Sequence, residues 1–491
     1  MKSYDLCTCL FYGCAIDSPR HHTEANVMHL HENCVGVLAE SLTQETVSQW
    51  KESFKADPKN LLAQNACARN DPFEISISKQ RLQNTHHMFN RRIEAEGKPV
   101  TNQKGSSRCW LFAALNVMRI PFMKAHNIEE FEFSQAYLFY WDKIERSYYF
   151  LNKFVELVQR GEKPDGRLMA FLLKNPIDEG GQWSMVINLV SKYGVMPKKY
   201  FPETFSCEAS LRMNMALKSK LREYARILRV MITEENATKE AIKTKIMEQM
   251  KEVYNIVGIC IGIPGDTFNW EYYDKTKKYQ ATGDITPLQF YETLVKPYFN
   301  VENKLCLMND ARRTSHYNFT YTVDCLNNVV GGQQVIYNNQ PVKSLQQAVV
   351  KSILNGEPVW FGCDVGKRTY RKHGILDVEI NDFKTLFGVD IQTTLSKEDR
   401  LIYGESALTH AMVFTAVHLN ENGAPIRYRV ENSWGEDPGE KGYIIMTDDW
   451  FREFVYEVVV DIKYITDDVA AIFPLEPIVL PAWDPMGTLA Q

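Results

Sequence analysis

Apolar residues recur at helical spacing through Leu111, Phe112, Leu115 and Met118, which predicts an amphipathic helix over residues 109–119. The same reading predicts helices over 42–54, 133–158, 167–173 and 183–193, the last stopped by Gly194. A long charged helical stretch follows over 206–255. Within it Arg212, Lys218, Lys220, Arg222, Arg226 and Arg229 face one acid, Glu223, and a solvated helix face is the default reading. From about residue 329 the chain turns β-rich. Residues 411–419 are β-branched and apolar, residues 426–431 alternate, and Asn420-Glu421-Asn422-Gly423-Ala424-Pro425 lies between them as a turn. Beyond Asp468, Pro474, Pro477, Pro481 and Pro485 force an extended tail with little helix.

Composition narrows the class. A chain of 491 residues with 45% hydrophobic content can bury a substantial core, and its length suits two or three domains. A net charge of −5 gives no global basic field for nucleic acid or membrane, and no apolar run approaches a membrane span. The 11 cysteines are odd in number and scattered, which reads as reduced thiols. Near the start, Leu10-Phe11-Tyr12 makes too short an apolar patch for a signal peptide. His29, His31 and Cys34 with Cys7, Cys9 and Cys14 match no zinc spacing, so no metal site is expected and a loosely attached extension is.

Three distant segments carry candidate chemistry: Gln103-Lys104-Gly105-Ser106-Ser107-Arg108-Cys109-Trp110, Thr409-His410-Ala411 and Asn432-Ser433-Trp434-Gly435. They supply a thiol, a base and an amide to orient that base. Ser106 or Ser107 would cap the first helix, leaving Cys109 in its first turn, where unpaired amides favour a thiolate. Gln103 lies in the loop feeding that turn and would share an oxyanion with the Cys109 amide. A buried structural cysteine is the plainer alternative. The hairpin register bears on the choice. If residues 419 and 426 face each other, His410 falls opposite roughly residue 435, within about three residues of Asn432. His418, near the turn, lies about 26 Å along the strand and is disfavoured. Trp434 would cover the Asn432–His410 contact and keep water off it.

With these segments in view, the chain resembles the papain superfamily of cysteine peptidases, in its large intracellular branch. Gly180-Gly181-Gln182-Trp183, Trp360-Phe361-Gly362-Cys363-Asp364 and Leu480-Pro481-Ala482-Trp483-Asp484-Pro485-Met486-Gly487 carry the likeness too, over about residues 38–491. The resemblance implies an α+β, two-lobed papain-like fold. It has an extension over 1–37, a helical lobe over 38–204, a helical hook insertion over 205–328, a β-rich lobe over 329–467 and an extended C-terminal arm over 468–491 in the active-site cleft. It casts Cys109 as nucleophile, His410 as general acid and base, Asn432 as orienting residue and Gln103 as oxyanion donor. Gly180, Gly181, Trp434 and Ala490 would contact substrate, although Gly180-Gly181 reads equally as a simple turn. Two departures stand out. Ser106 replaces a disulfide-bonded cysteine of the secreted enzymes, which suits a reducing compartment, and Arg108 replaces a small serine and most simply forms a structural salt bridge.

The function so implied is removal of N-terminal residues from peptides with a free amino end, without cofactor, in the cytoplasm. A tail carboxylate at Ala490, exposed by loss of Gln491, would pair with the substrate ammonium. Hydrolysis of the amide of bleomycin and of homocysteine thiolactone is carried over in the same way, as is a homohexamer built through the hook. An alternative is a nucleic-acid-binding oligomeric shell, salt-dependent in its binding, with secondary peptidase activity.

Overall fold

The computed structural model describes residues 41–94, 96–391 and 394–488. The expectations placed on residues 1–37, Ala490 and Gln491 lie outside the described residues. The chain divides into two compact units, residues 1–65 and 66–491. In the first, helix Gln44–Ala56 begins two residues later than the apolar pattern predicts, because the Thr43 hydroxyl accepts the Thr46 N–H at 3.1 Å and so acts as its cap.

The second unit holds the candidate site. Its central helix, Cys109–Ala125, runs past the predicted end at 119 and is buried on nearly every side rather than along one stripe. Leu111, Phe112, Leu115 and Met118 are buried as predicted, but so are Ala114, Asn116 and Arg119 between them. A helix enclosed all round belongs to the core of a large protein. Helices Gln135–Gln159, Arg167–Lys174 and Trp183–Tyr193 follow within two residues of their predicted spans. Gly194 ends the last one at φ 72°, a conformation open to glycine, with the Pro287 carbonyl where a Cβ would project.

The charged stretch resolves into two helices, Leu211–Thr233 and Lys239–Ile261, packed on each other and on Gln135–Gln159. Leu217, Leu221 and Leu228 of the first and Ile246, Val253 and Val257 of the second enter the main core. Some of the basic residues opposite serve the molecule itself. Arg222 donates to the Leu173 and Lys174 carbonyls, each at 2.8 Å, closing the open end of Arg167–Lys174, and Arg229 reaches the Glu162 carbonyl at 3.2 Å. An antiparallel pair, Phe268–Tyr273 with Tyr279–Ile285, follows beyond the stretch read as helical, within the region the resemblance assigns to a helical hook.

The β-rich part forms one large mixed sheet around a second apolar cluster. Strand His410–Leu419 lies in it between Val359–Cys363 and Pro425–Glu431, antiparallel to both. Helix Cys109–Ala125 packs across that strand. Together they are the α+β arrangement expected of the two lobes.

Candidate active site

The predicted hairpin forms with the predicted register along its middle, where Val417 faces Tyr428 and His418 faces Arg427, but a shift after His418 sets Leu419 opposite Pro425 rather than Ile426. A bulge between Phe414 and Ala416 then shifts the pairing by one, so Val413 faces Glu431. Extending that shift brings position 434 rather than 435 opposite His410. Asn432 sits just past the strand end, and its Oδ1 lies 2.9 Å from His410 Nε2. The Trp434 ring packs on the imidazole with centroids 5.0 Å apart. His410 is 3% exposed.

Cys109 occupies the first position of its helix, as read from sequence, but the cap differs. Arg108 is the N-cap residue and makes no side-chain cap bond. Ser106 instead donates its hydroxyl to the Gln103 carbonyl at 2.6 Å, and the Ser107 N–H goes to Glu179 at 2.8 Å. The expected serine cap is thus replaced by a turn bonded to itself and to a distant carboxylate. Arg108 is fully buried, paired bidentately with Glu203 at 2.8 and 3.0 Å and bonded to Ser106 Oγ. It is a structural ion pair, the simpler of the two readings.

The Cys109 side chain is fully buried, with the backbone N–H groups of Ala411, Trp110 and its own residue near enough to favour its charged form. Ala411 follows His410 directly, so the strand brings thiol and imidazole to one place. Burial pushes the thiol up to about 12, against those three N–H groups. Burial likewise holds the imidazole down to about 4, opposed by the bond to Asn432 and reinforced by the charge of Arg371. Burial thus disfavours the charged form of each group taken singly, and only a charge on its neighbour can offset that. An ionised pair arises only if the proton passes from one to the other, since each charge then offsets the desolvation of its neighbour.

Gln103 joins both sides of the site. Its N–H donates to the Ser433 carbonyl at 2.9 Å, and its Oε1 accepts the Ser433 hydroxyl at 2.7 Å. Its Nε2 donates one hydrogen to the Ser106 carbonyl at 2.7 Å, which leaves the second amide hydrogen. Beside it, Asn102 bridges to Trp434, and Gly435 donates to the Thr101 carbonyl.

Gly180 and Gly181 lie buried in the loop before helix Trp183–Tyr193. The Gly180 carbonyl accepts Arg146 Nη1 at 2.9 Å, and a Cβ on Gly181 would stand 2.5 Å from the Trp110 ring. Glycine is needed there because Trp110, the residue after Cys109, lies flat against it. Glu179, just before the pair, is a residue the sequence reading missed. Its carboxylate takes Ser107 N–H, the Ser210 hydroxyl and the Asn214 amide, and its carbonyl takes Trp110 Nε1. Despite burial, Lys143 and those donors hold it at about 2. Nothing local marks it, since its partners span residues 107–214.

The proline-rich tail is tied to the body of the molecule at several points. Strand Ile478–Leu480 pairs in parallel with Phe319–Val323, and Asp484 meets Arg312 at 2.8 and 3.0 Å. Thr488 then lies between the lobes. Its carbonyl accepts Gln182 Nε2 and its Oγ1 accepts the Leu408 N–H, both at 3.2 Å. A cavity of about 540 Å³ borders it, lined among others by Arg146, Met185, Trp483 and Thr488.

Among the described residues no cluster suited to a metal ion occurs and no helix is long and apolar enough to cross a membrane. The seven described cysteines are unpaired.

Comparison with known proteins agrees with the motifs. The peptidase C1-like family matches residues 41–487. Bleomycin hydrolase of Gallus gallus, the kind of enzyme to which the motifs point within the papain superfamily, is 52% identical over 92% of this chain and 100% of its own. Aminopeptidase C of Lactococcus lactis is 37% identical over 92% of this chain and 100% of its own. The crystal structure of PepW from Lactobacillus rhamnosis superposes with a TM-score of 0.87 at 37% identity, covering 92% of this chain and 99% of that one. The chain belongs to the peptidase C1-like family and is a cysteine-type peptidase.

Proposed function

We propose that the chain is a cysteine aminopeptidase that releases N-terminal residues from peptides by acyl transfer through Cys109. His410 takes the thiol proton, and the sulfur attacks the first peptide carbonyl. The free Nε2 hydrogen of Gln103 and the Cys109 N–H stabilise the oxyanion. His410 then protonates the departing amine and activates water to free the acyl group, while Asn432 keeps the ring aligned. Trp434 shields that bond from water.

The observation that carries the exopeptidase reading is the tail at Thr488, tied to Gln182 on one lip and Leu408 on the other. A chain lying there fills the side of the cleft where an endopeptidase would seat residues before the scissile bond. Gly180 and Gly181 line the same edge. The test is an aminoacyl fluorogenic substrate beside its N-blocked twin. The free amine is expected to be cleaved and the blocked one refused; equal rates for both sink the reading.

Finer expectations belong to the same proposal. The amide of bleomycin and homocysteine thiolactone are candidate substrates, the first because relatives carry that name. Light scattering is expected to report a homohexamer, and cell fractionation a cytoplasmic protein. The alternative of a nucleic-acid-binding shell draws on the basic stretch 212–229, part of which is engaged internally through Arg222 and Arg229. A salt titration of DNA binding with a slope near zero would dismiss it.

A further inference from the structure

Arg371 stands apart from the other arginines near the site. It is exposed, in a short turn with exposed Lys372 and His373, and its guanidinium sits 4.4 Å from the centre of the Trp434 ring. No ion pair joins it to a carboxylate among the described residues, whereas Arg108, Arg119 and Arg146 each have one. The Trp434 ring in turn lies on His410. One indole therefore separates a free guanidinium from the imidazole, and the charge of Arg371 is felt there.

Direction follows from chemistry. The group that protonates the departing amine is His410, so what lies beside its ring lies beside the departing fragment. The opposite end of the substrate faces the tail at Thr488. A residue advances the chain by about 3.8 Å, so one or two residues span an indole. Arginine is the side chain whose planar fork matches a carboxylate in two parallel hydrogen bonds. A cation stacked on a ring is also held in place before a ligand arrives, which lowers the ordering cost of binding.

We propose that Arg371, presented over Trp434, forms an anion subsite that takes a carboxylate of the departing fragment one or two residues beyond the scissile bond. That carboxylate is the C-terminus of a dipeptide or tripeptide, or an acidic side chain close to the cut. The inference rests on the aminopeptidase reading for its direction along the cleft. It makes the enzyme a finisher of short peptides, favouring those already trimmed to two or three residues.

The experiment compares a dipeptide with its C-terminal amide, in wild type and in Arg371→Gln and Arg371→Lys. Wild type is expected to favour the free acid in kcat/KM by about tenfold, mostly through KM, as one exposed charge-assisted contact warrants. Arg371→Gln should bring that ratio close to one and Arg371→Lys restore part of it. A second arm needs no turnover: alkylation of Cys109 by iodoacetate relative to iodoacetamide, whose ratio should fall in Arg371→Gln. Ratios that Arg371→Gln leaves unmoved in both arms overturn the inference. Wild type that cleaves neither peptide, while the alkylation ratio still falls, overturns the aminopeptidase reading and keeps the anion subsite.

Discussion

His410 illustrates how burial and chemistry pull against each other at a single residue. An unfolded histidine titrates at about 6.5, whereas burial holds this one to about 4. The neutral ring therefore stabilises the fold fully above pH 6.5, and that contribution, about 3 kcal/mol at most, is lost as pH falls toward 4. A His410→Gln variant should accordingly lose less thermal stability than wild type between pH 7 and pH 4.5, measured by calorimetry. Glu457 is the mirror case. It is fully buried with Cys306 as its hydrogen-bond partner, and burial raises its carboxyl to about 8. The protonated acid suits the fold at low pH, and stability drains as pH rises through 8. The melting temperature of Glu457→Gln should therefore gain on wild type from pH 5 to pH 9; a constant gap would refute this. For catalysis, Cys109→Ala is expected to lower kcat by about 10⁴-fold. Asn432→Ala should lower it by about 10–100-fold, the worth of one charge-assisted bond. The residue types of this trio were legible because each sits in a short motif. Arg371, Glu179 and Glu203 were not, since their meaning lies wholly in partners far along the chain.

At the scale of elements, the hairpin was readable because a strand pair obeys arithmetic: fixing one facing pair fixes the rest. Its error of one residue at His410 traces to the bulge after Phe414, which no local residue announces. Helix Cys109–Ala125 taught the opposite lesson. Its start and its buried stripe were right, but strands His410–Leu419 and Val359–Cys363 and helices Gln135–Gln159 and Trp183–Tyr193 together enclose its remaining faces, and a periodic pattern cannot report that. The strand pair Phe268–Tyr273 with Tyr279–Ile285 went unread beyond the charged helical stretch. The contact of Trp110 with Gly181 gives a test at this scale. Gly181→Ala places a methyl 2.5 Å from the indole and must displace the first turn of the helix. Overpacking of this kind costs about 1–3 kcal/mol, and the loss of activity should exceed what the loss of stability explains. A variant as active as wild type would show that the turn adjusts freely.

For the molecule as a whole, the proposed exopeptidase action rests on how firmly the tail is held. Its anchor is the pair of Arg312 with Asp484, backed by Asp310. Arg312→Ala leaves two largely buried carboxylates without their cation, so the tail should detach before the fold does. The expected result is cleavage of N-blocked peptides that wild type refuses, together with products longer than one residue. The resemblance implies a tail in the cleft; the prolines alone predict only an extended chain.

The bonds that Gln103, Asn102 and Thr101 make to residues 433–435 have a mechanical corollary. They stitch the two lobes together at the reacting atoms, so the halves cannot swing apart without dismantling the oxyanion donor and the orienting amide at once. A substrate must then fit a site already assembled, rather than one completed by jaw-like closure.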